Sequence, residues 1–259
     1  MVLPMNKPAS VSLLALALLL SVGLTERSLA DDKNCLRFGV QDLPVHRLVA
    51  ATISEVFTRE GICHSLVYLP TRRISRQLLS GNIDGELLRY SFYAEVVQEI
   101  AEPVPEKLFE LQGLLVSPDP ELRSLTQIGN HPVGVLLGNS WAEHERRNLA
   151  NPVTATTAAR LLDMLESKRT VAVLLNSAEW RALKKHHPQL QAAPVRELPV
   201  YVYLAKRHTV WMAAIASAIK KYKESGGSFL PSKPSSNDSG KGPGDRIVLL
   251  TRPQGTTFY

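Results

Sequence analysis

Cysteine is scarce in this chain: two residues in 259, Cys35 and Cys63. Two isolated cysteines and seven scattered histidines offer no metal-ligand spacing, so neither a metal nor another cofactor is expected. No Gly-x-Ser-x-Gly turn occurs, which excludes a hydrolase-type nucleophile elbow. Aromatic residues make up 6% of the chain, and its basic residues are dispersed rather than striped between them. The net charge of +6 therefore describes a solvated basic surface and not nucleic-acid binding. Long apolar runs are also missing after residue 30, where no stretch is long enough to cross a bilayer.

What the chain does have begins with one apolar run near its start. Val11 to Leu24 is almost wholly apolar, Lys7 is the sole charge before Glu26, and Ser28-Leu29-Ala30 places small residues at the −3 and −1 positions of a cleavage site. Residues 1–30 read as a secretory signal peptide, with export to the periplasm as the expected location. The run is short for a membrane anchor. In an oxidising compartment the two cysteines suggest one disulfide, Cys35 to Cys63. Each begins an apolar run, so they meet if those runs are neighbouring strands entered from the same end. Two separate buried thiols are the alternative.

The rest of the chain alternates between strand and helix patterns. Leu36–Val40 alternates as a strand and Pro44 breaks it. His46 to Thr58 carries Leu48, Val49, Ile53, Val56 and Phe57 at helical spacing, and Gly61 ends it. Ser65–Leu69 is a second strand. Thr71 caps a helix from Arg72 to Ser80 with Ile74, Leu78 and Leu79 on one face. Ile83–Leu88 is a third strand. This β-α-β-α-β order predicts a parallel sheet covered by helices.

In such sheets ligands bind outside the carboxyl ends of the strands. Asp42 after strand one, Arg72 after strand two, and Glu86, Arg89 and Tyr90 at the end of strand three are thereby candidates for one site. Arg89 ends an apolar strand, where a long cation needs a reason. Glu86 fits a salt bridge to Arg89 better than a general acid, and no catalytic residue is expected. A second unit follows, with strands at Phe109–Ser117, His131–Leu137 and Thr170–Leu175 and helices opening at Gly138-Asn139-Ser140-Trp141, near Thr157 and at Asn176-Ser177. Val200–Ala205 is the last strand and Thr209–Ser225 a long amphipathic helix. Residues 231–259 read as disordered.

Several segments together resemble a periplasmic solute-binding protein of the type II fold, in the group that binds amino acids for ABC importers. They are LRFGV; LPTRRISRQLLSGNIDGELL, similar to the family's helix–Gly–x–x–Asp–strand element; IGNHPVGVLLGNSW; and ELPVYVYLAKRHTVWMAAIASAIKKYKESG. The resemblance implies an α/β chain of two lobes around a cleft. Lobe one would hold residues 31–112 with 204–230 returning to it, and lobe two residues 113–203. It implies a non-enzyme that captures a small polar, anionic or amino-acid-like ligand, acts as a monomer, and partners an inner-membrane ABC permease or sensor. Asn139, Ser140 and Trp141 at a helix N-terminus, and Asn176 at the end of a lobe-two strand, join the expected ligand set. Trp141 would either stack on the ligand or fill the lobe.

The chain also departs from that family. Its carboxylate-clamping arginine would fall at Val96, and its amine-pairing aspartate at Asn176. Arg89 or Arg72 could replace the first, and Glu179 or Glu86 the second. These departures leave a second reading open, a periplasmic accessory or sensory protein that works through protein partners.

Overall fold

The computed structural model describes residues 35–230. The expected signal peptide and the tail from residue 231 lie outside the described residues, as does the side chain of Arg72. The first strand, β1 (Leu36–Gln41), runs into α1 (Pro44–Arg59). Pro44 opens this helix rather than merely ending the strand, because a first-turn residue needs no N–H donor. Helix α1 buries Val49, Ile53, Val56 and Phe57, and Gly61 with φ 72° turns the chain out of it.

Next come β2 (His64–Leu69), α2 (Thr71–Leu79) and β3 (Gly85–Tyr90). Strands β2 and β3 flank β1 in parallel, as the β-α-β-α-β reading requires. Pro70 holds the cap position of α2 with no side-chain bond, so Thr71 is inside the helix and not its cap. Ile74 and Leu78 are buried, while Leu79 is 61% exposed and lies off the apolar face assigned to it. Gly85 must lack a side chain: a Cβ there would sit 2.4 Å from the Tyr203 carbonyl oxygen and 2.6 Å from the Phe38 ring.

A short 3₁₀ turn (Ser91–Tyr93) and α3 (Ala94–Val97) lead to β4 (Ala101–Pro103) and the long β5 (Phe109–Ser117). Then follow β6 (Val133–Leu136), α4 (Ser140–Arg146), β7 (Pro152–Ala155), α5 (Ala158–Glu166), β8 (Ala172–Asn176) and α6 (Ser177–Leu183). The chain returns through β9 (Gln191–Ala205) to α7 (Met212–Glu224). Among the described residues the strands form one sheet in the order β2-β1-β3-β9-β5-β8-β6-β7, with β4 also on β9.

Strand β9 is far longer than the six residues expected. Pro194 and Pro199 suppress the strand signal, and Pro194 is accommodated where the β5–β9 ladder shifts register at Gly113/Leu114. Strands β5 and β9 thus run from one half of the sheet into the other, crossing at a bulge. In the first half α1 and α7 cover one face and α2 the other. In the second, α4 covers one face and α5 the other. Helix α7 packs on α1 in the first half.

Both cysteines are disulfide-bonded, closing Cys35 to Cys63. The Leu36 amide donates to the Cys63 carbonyl at 3.0 Å, so the two runs do enter the sheet side by side. Asp84, of the Gly-x-x-Asp element, joins three segments. It accepts from the Arg37 amide at 2.9 Å, and its other oxygen lies 2.8 Å from both Arg207 and His208. Burial alone would raise its carboxyl pKa, but these partners hold it below the usual value. No helix among the described residues is long and apolar enough to cross a membrane.

Candidate functional site

Because β1, β2 and β3 are parallel, their carboxyl ends share one edge. Strand β3 carries an irregularity there. Glu86 faces Tyr203 and Arg89 faces Tyr201, so two residues of β3 lie between these pairs against one of β9. The extra residue is absorbed at Leu88, which has φ 62°. In a regular strand residues three apart point to opposite faces. The bulge instead puts Glu86 and Arg89 on the same face.

Glu86 is fully buried and Arg89 nearly so, and the two form an ion pair. The Tyr93 hydroxyl donates to Glu86 Oε1 at 2.5 Å and lies 2.9 Å from Ser75 Oγ. The Arg89 guanidinium sits 4.6 Å from the Tyr93 ring centroid. Burial first, then the Glu86 charge, push the Tyr93 hydroxyl pKa up, which keeps it a donor.

His46, in the first turn of α1, completes this side. Its Nδ1 is buried without a hydrogen-bond partner. Burial and then the positive charge of Arg89 lower its pKa from 6.5 to about 4. A depressed folded-state value means that protonation favours the unfolded chain. The stability from neutral His46 is complete above pH 6.5 and is lost as pH falls toward 4. His46→Gln is expected to flatten this acid limb, checked by comparing urea midpoints of the variant and the parent at pH 7 and pH 5. Parallel pH profiles would refute the assignment.

The second half contributes a cluster built on helix caps. Asn176 ends β8 and caps α6, its Oδ1 accepting from the Ala178 and Glu179 amides at 2.9 Å. Glu179 answers by accepting from the Asn176 amide at 2.8 Å, a capping box. Its other oxygen accepts from Asn139 Nδ2 at 2.8 Å, so one carboxylate ties the starts of α4 and α6 together. Burial pushes the Glu179 pKa up despite these bonds. Tyr90, from the end of β3, lies near the Asn176 and Glu179 side chains. Burial and then the Glu179 charge raise its phenol pKa.

The structure therefore groups Glu86 with Arg89, and Asn139 with Asn176 beside Tyr90, and adds His46, Tyr93 and Glu179. His46 was legible only as one more helical residue. Its position two residues past the strand-breaking Pro44 is the signal that could have found it. Glu179 was noticed as a possible carboxylate, but its role as a cap partner needs α4 and α6 side by side.

The other expected residues lie elsewhere or serve the fold. Asp42 is exposed and pairs with Arg47 at 2.7 Å, so it is turned toward its own helix. Ser140 is exposed at the first position of α4. Trp141 is fully buried against Gly113 and fills the core of the second half; no ring face is left to stack on a ligand. At the α4 N-terminus the Gly138 amide donates to Glu143 at 2.7 Å and the Ala142 amide to Asn139 at 3.5 Å. Val96, at the family's clamp position, is exposed on α3. Among the described residues no group of three or more His, Cys, Asp or Glu could hold a metal ion.

No family model and no curated protein matches this sequence. Solved structures do resemble it. A mutant of ArgBP from T. maritima superposes with a TM-score of 0.55 at 18% identity, covering 75% of this chain and 91% of that one. The substrate-binding protein of an amino acid ABC transporter gives 0.55 at 13% identity, covering 74% and 94%. The GluR0 ligand-binding core from Nostoc punctiforme, in complex with L-glutamate, gives 0.59 at 14%, covering 74% and 94%. At these identities the likeness concerns the fold. The chain has the two-lobed, type II architecture of solute-binding proteins.

Proposed function

We propose that the chain is a periplasmic solute-binding protein that holds a small polar, amino-acid-like ligand between the two halves and delivers it to an ABC permease of the inner membrane. One observation carries this reading. Polar groups from both halves lie at the carboxyl ends of the strands, Arg89 with His46 from the first and Asn176 with Glu179, near Tyr90, from the second, in a fold whose known members include amino-acid binders. Tyr90 packs against the apolar clusters of both halves. Residues 31–112 with 204–230 would form one lobe and 113–203 the other, β5 and β9 acting as the crossing strands. The protein would work as a monomer without chemistry of its own.

A different observation favours the accessory or sensory reading. Polar groups of the edge already have partners within the chain, the Arg89 guanidinium in Glu86 and the Gly138 amide, just before α4, in Glu143. A charged ligand would have to compete with these partners.

The deciding experiment is a thermal-shift screen of the oxidised protein without its leader, against amino acids, small carboxylates, polyamines and sugars. A ligand at a hundred times its Kd adds about 2.7 kcal/mol, and the midpoint should rise by a few degrees. Tyr90→Phe keeps the ring but removes the hydroxyl, and should reduce that shift without lowering the unliganded midpoint by a comparable amount. A flat screen on folded, ligand-free protein would replace solute capture with the accessory role.

A further inference from the structure

We propose that Tyr90, Phe92 and His144 form an aromatic strap that holds the two halves of the sheet together when no ligand is bound. The three rings make a continuous series. Tyr90 and Phe92 have centroids 5.4 Å apart at 32°, and Phe92 lies stacked on His144 at 4.7 Å and 25°. Tyr90 and Phe92 belong to the segment leaving β3 in the first half, whereas His144 is on α4 in the second. Tyr90 packs against the apolar clusters of both halves, and Phe92 against that of the second.

The strap is anchored at both ends. The buried Tyr203 hydroxyl donates to the Ser91 carbonyl at 2.8 Å and lies 3.2 Å from that of Tyr90, which fixes the backbone from which Phe92 projects. At the far end Glu95 of α3 lies 3.9 Å from His144 Nδ1, so a second first-half residue reaches the same helix.

These contacts need no guest. The rings supply, from within the chain, apolar and stacking contact across the edge where the candidate ligand groups meet. The consequence is a resting state that is already closed, so that an incoming ligand or partner acts on a closed molecule rather than closing an open one. This inference concerns the free chain and does not depend on which function above is correct.

The test is a distance measurement on the ligand-free protein. Spin labels are placed at Thr58→Cys in α1 and Lys185→Cys beyond α6, both exposed and on opposite halves, with the native cysteines kept oxidised. Double electron–electron resonance should give a single short-distance population with the strap intact. Phe92→Ala and His144→Ala should each add a longer population. A long population in the protein with its strap intact would overturn the proposal, as would distributions unchanged in both variants. Circular dichroism and melting of each variant separate opening from unfolding. If Phe92→Ala does not fold, His144→Ala decides, because its side chain is 20% exposed and carries less of the core. The readout is a distance, so a negative ligand screen and a failed strap remain separate results.

Discussion

Glu86→Ala is expected to destabilise the chain by about 3–5 kcal/mol, the usual cost of leaving one partner of a buried ion pair uncompensated. The substitution removes the carboxylate that neutralises Arg89, which is 7% exposed and has little access to replacement water. It also takes one of the two acceptors of the buried Tyr93 hydroxyl, leaving Ser75 Oγ. Urea denaturation at pH 7 measures the loss. The double variant Glu86→Leu with Arg89→Met should recover most of it, because two apolar side chains of similar size abolish the desolvation cost of both charges. A Glu86→Ala midpoint within error of the parent would mean that water reaches the guanidinium, and the buried-pair description would fail. A double variant no better than the single one would mean that the pair stabilises by more than mutual neutralisation.

Replacing both Cys35 and Cys63 by serine is expected to cost about 3–4 kcal/mol, the loop-closure entropy returned to the unfolded chain by opening a loop of this length. The bond joins the residue before β1 to the residue before β2, where the two strands already run side by side. The folded state needs little rearrangement without it, so the loss should appear chiefly in the unfolded state. The urea dependence should then steepen, because an uncrosslinked chain exposes more surface on unfolding. Denaturation of the parent with and without reductant, beside the double serine variant, checks both points. Equal midpoints in all three would show that the bond contributes nothing to stability.

The two experiments address different levels of what could be read in advance. The disulfide was legible because its two cysteines begin successive apolar runs, and a β-α-β unit brings the starts of its strands together. The ion pair was legible as a pairing of residue types, but not as a buried one. Glu86 and Arg89 are three apart, and strand periodicity assigns them to opposite faces. Their meeting depends on the bulge at Leu88, which is set by how β3 must fit against the long β9. That fit involves residues more than a hundred positions apart, and no local signal encodes it.

Other differences have equally particular causes. Strands β4 and β7 are three and four residues long, too short for a pattern, and exist because neighbouring strands offer free hydrogen-bonding edges. The first half of β9 was hidden by two prolines. Trp141 could be placed at the start of a helix from its caps, yet whether it faced a ligand or a core depended on Gly113 of β5, the residue whose missing side chain makes room for the ring.

The sequence by itself determined the alternation of strands and helices, the parallel order of the first half, and the helix starts at Asn139-Ser140 and Asn176-Ser177. Each follows from local rules: apolar period, turn residues, and short side chains that bond to free helix amides. The tertiary structure alone decided which charges are already neutralised, which aromatic residue is core, and that Tyr90, Phe92 and His144 stack from one half to the other. Those outcomes turn on register and on contacts between distant segments, where a shift of one residue exchanges the two faces of a strand.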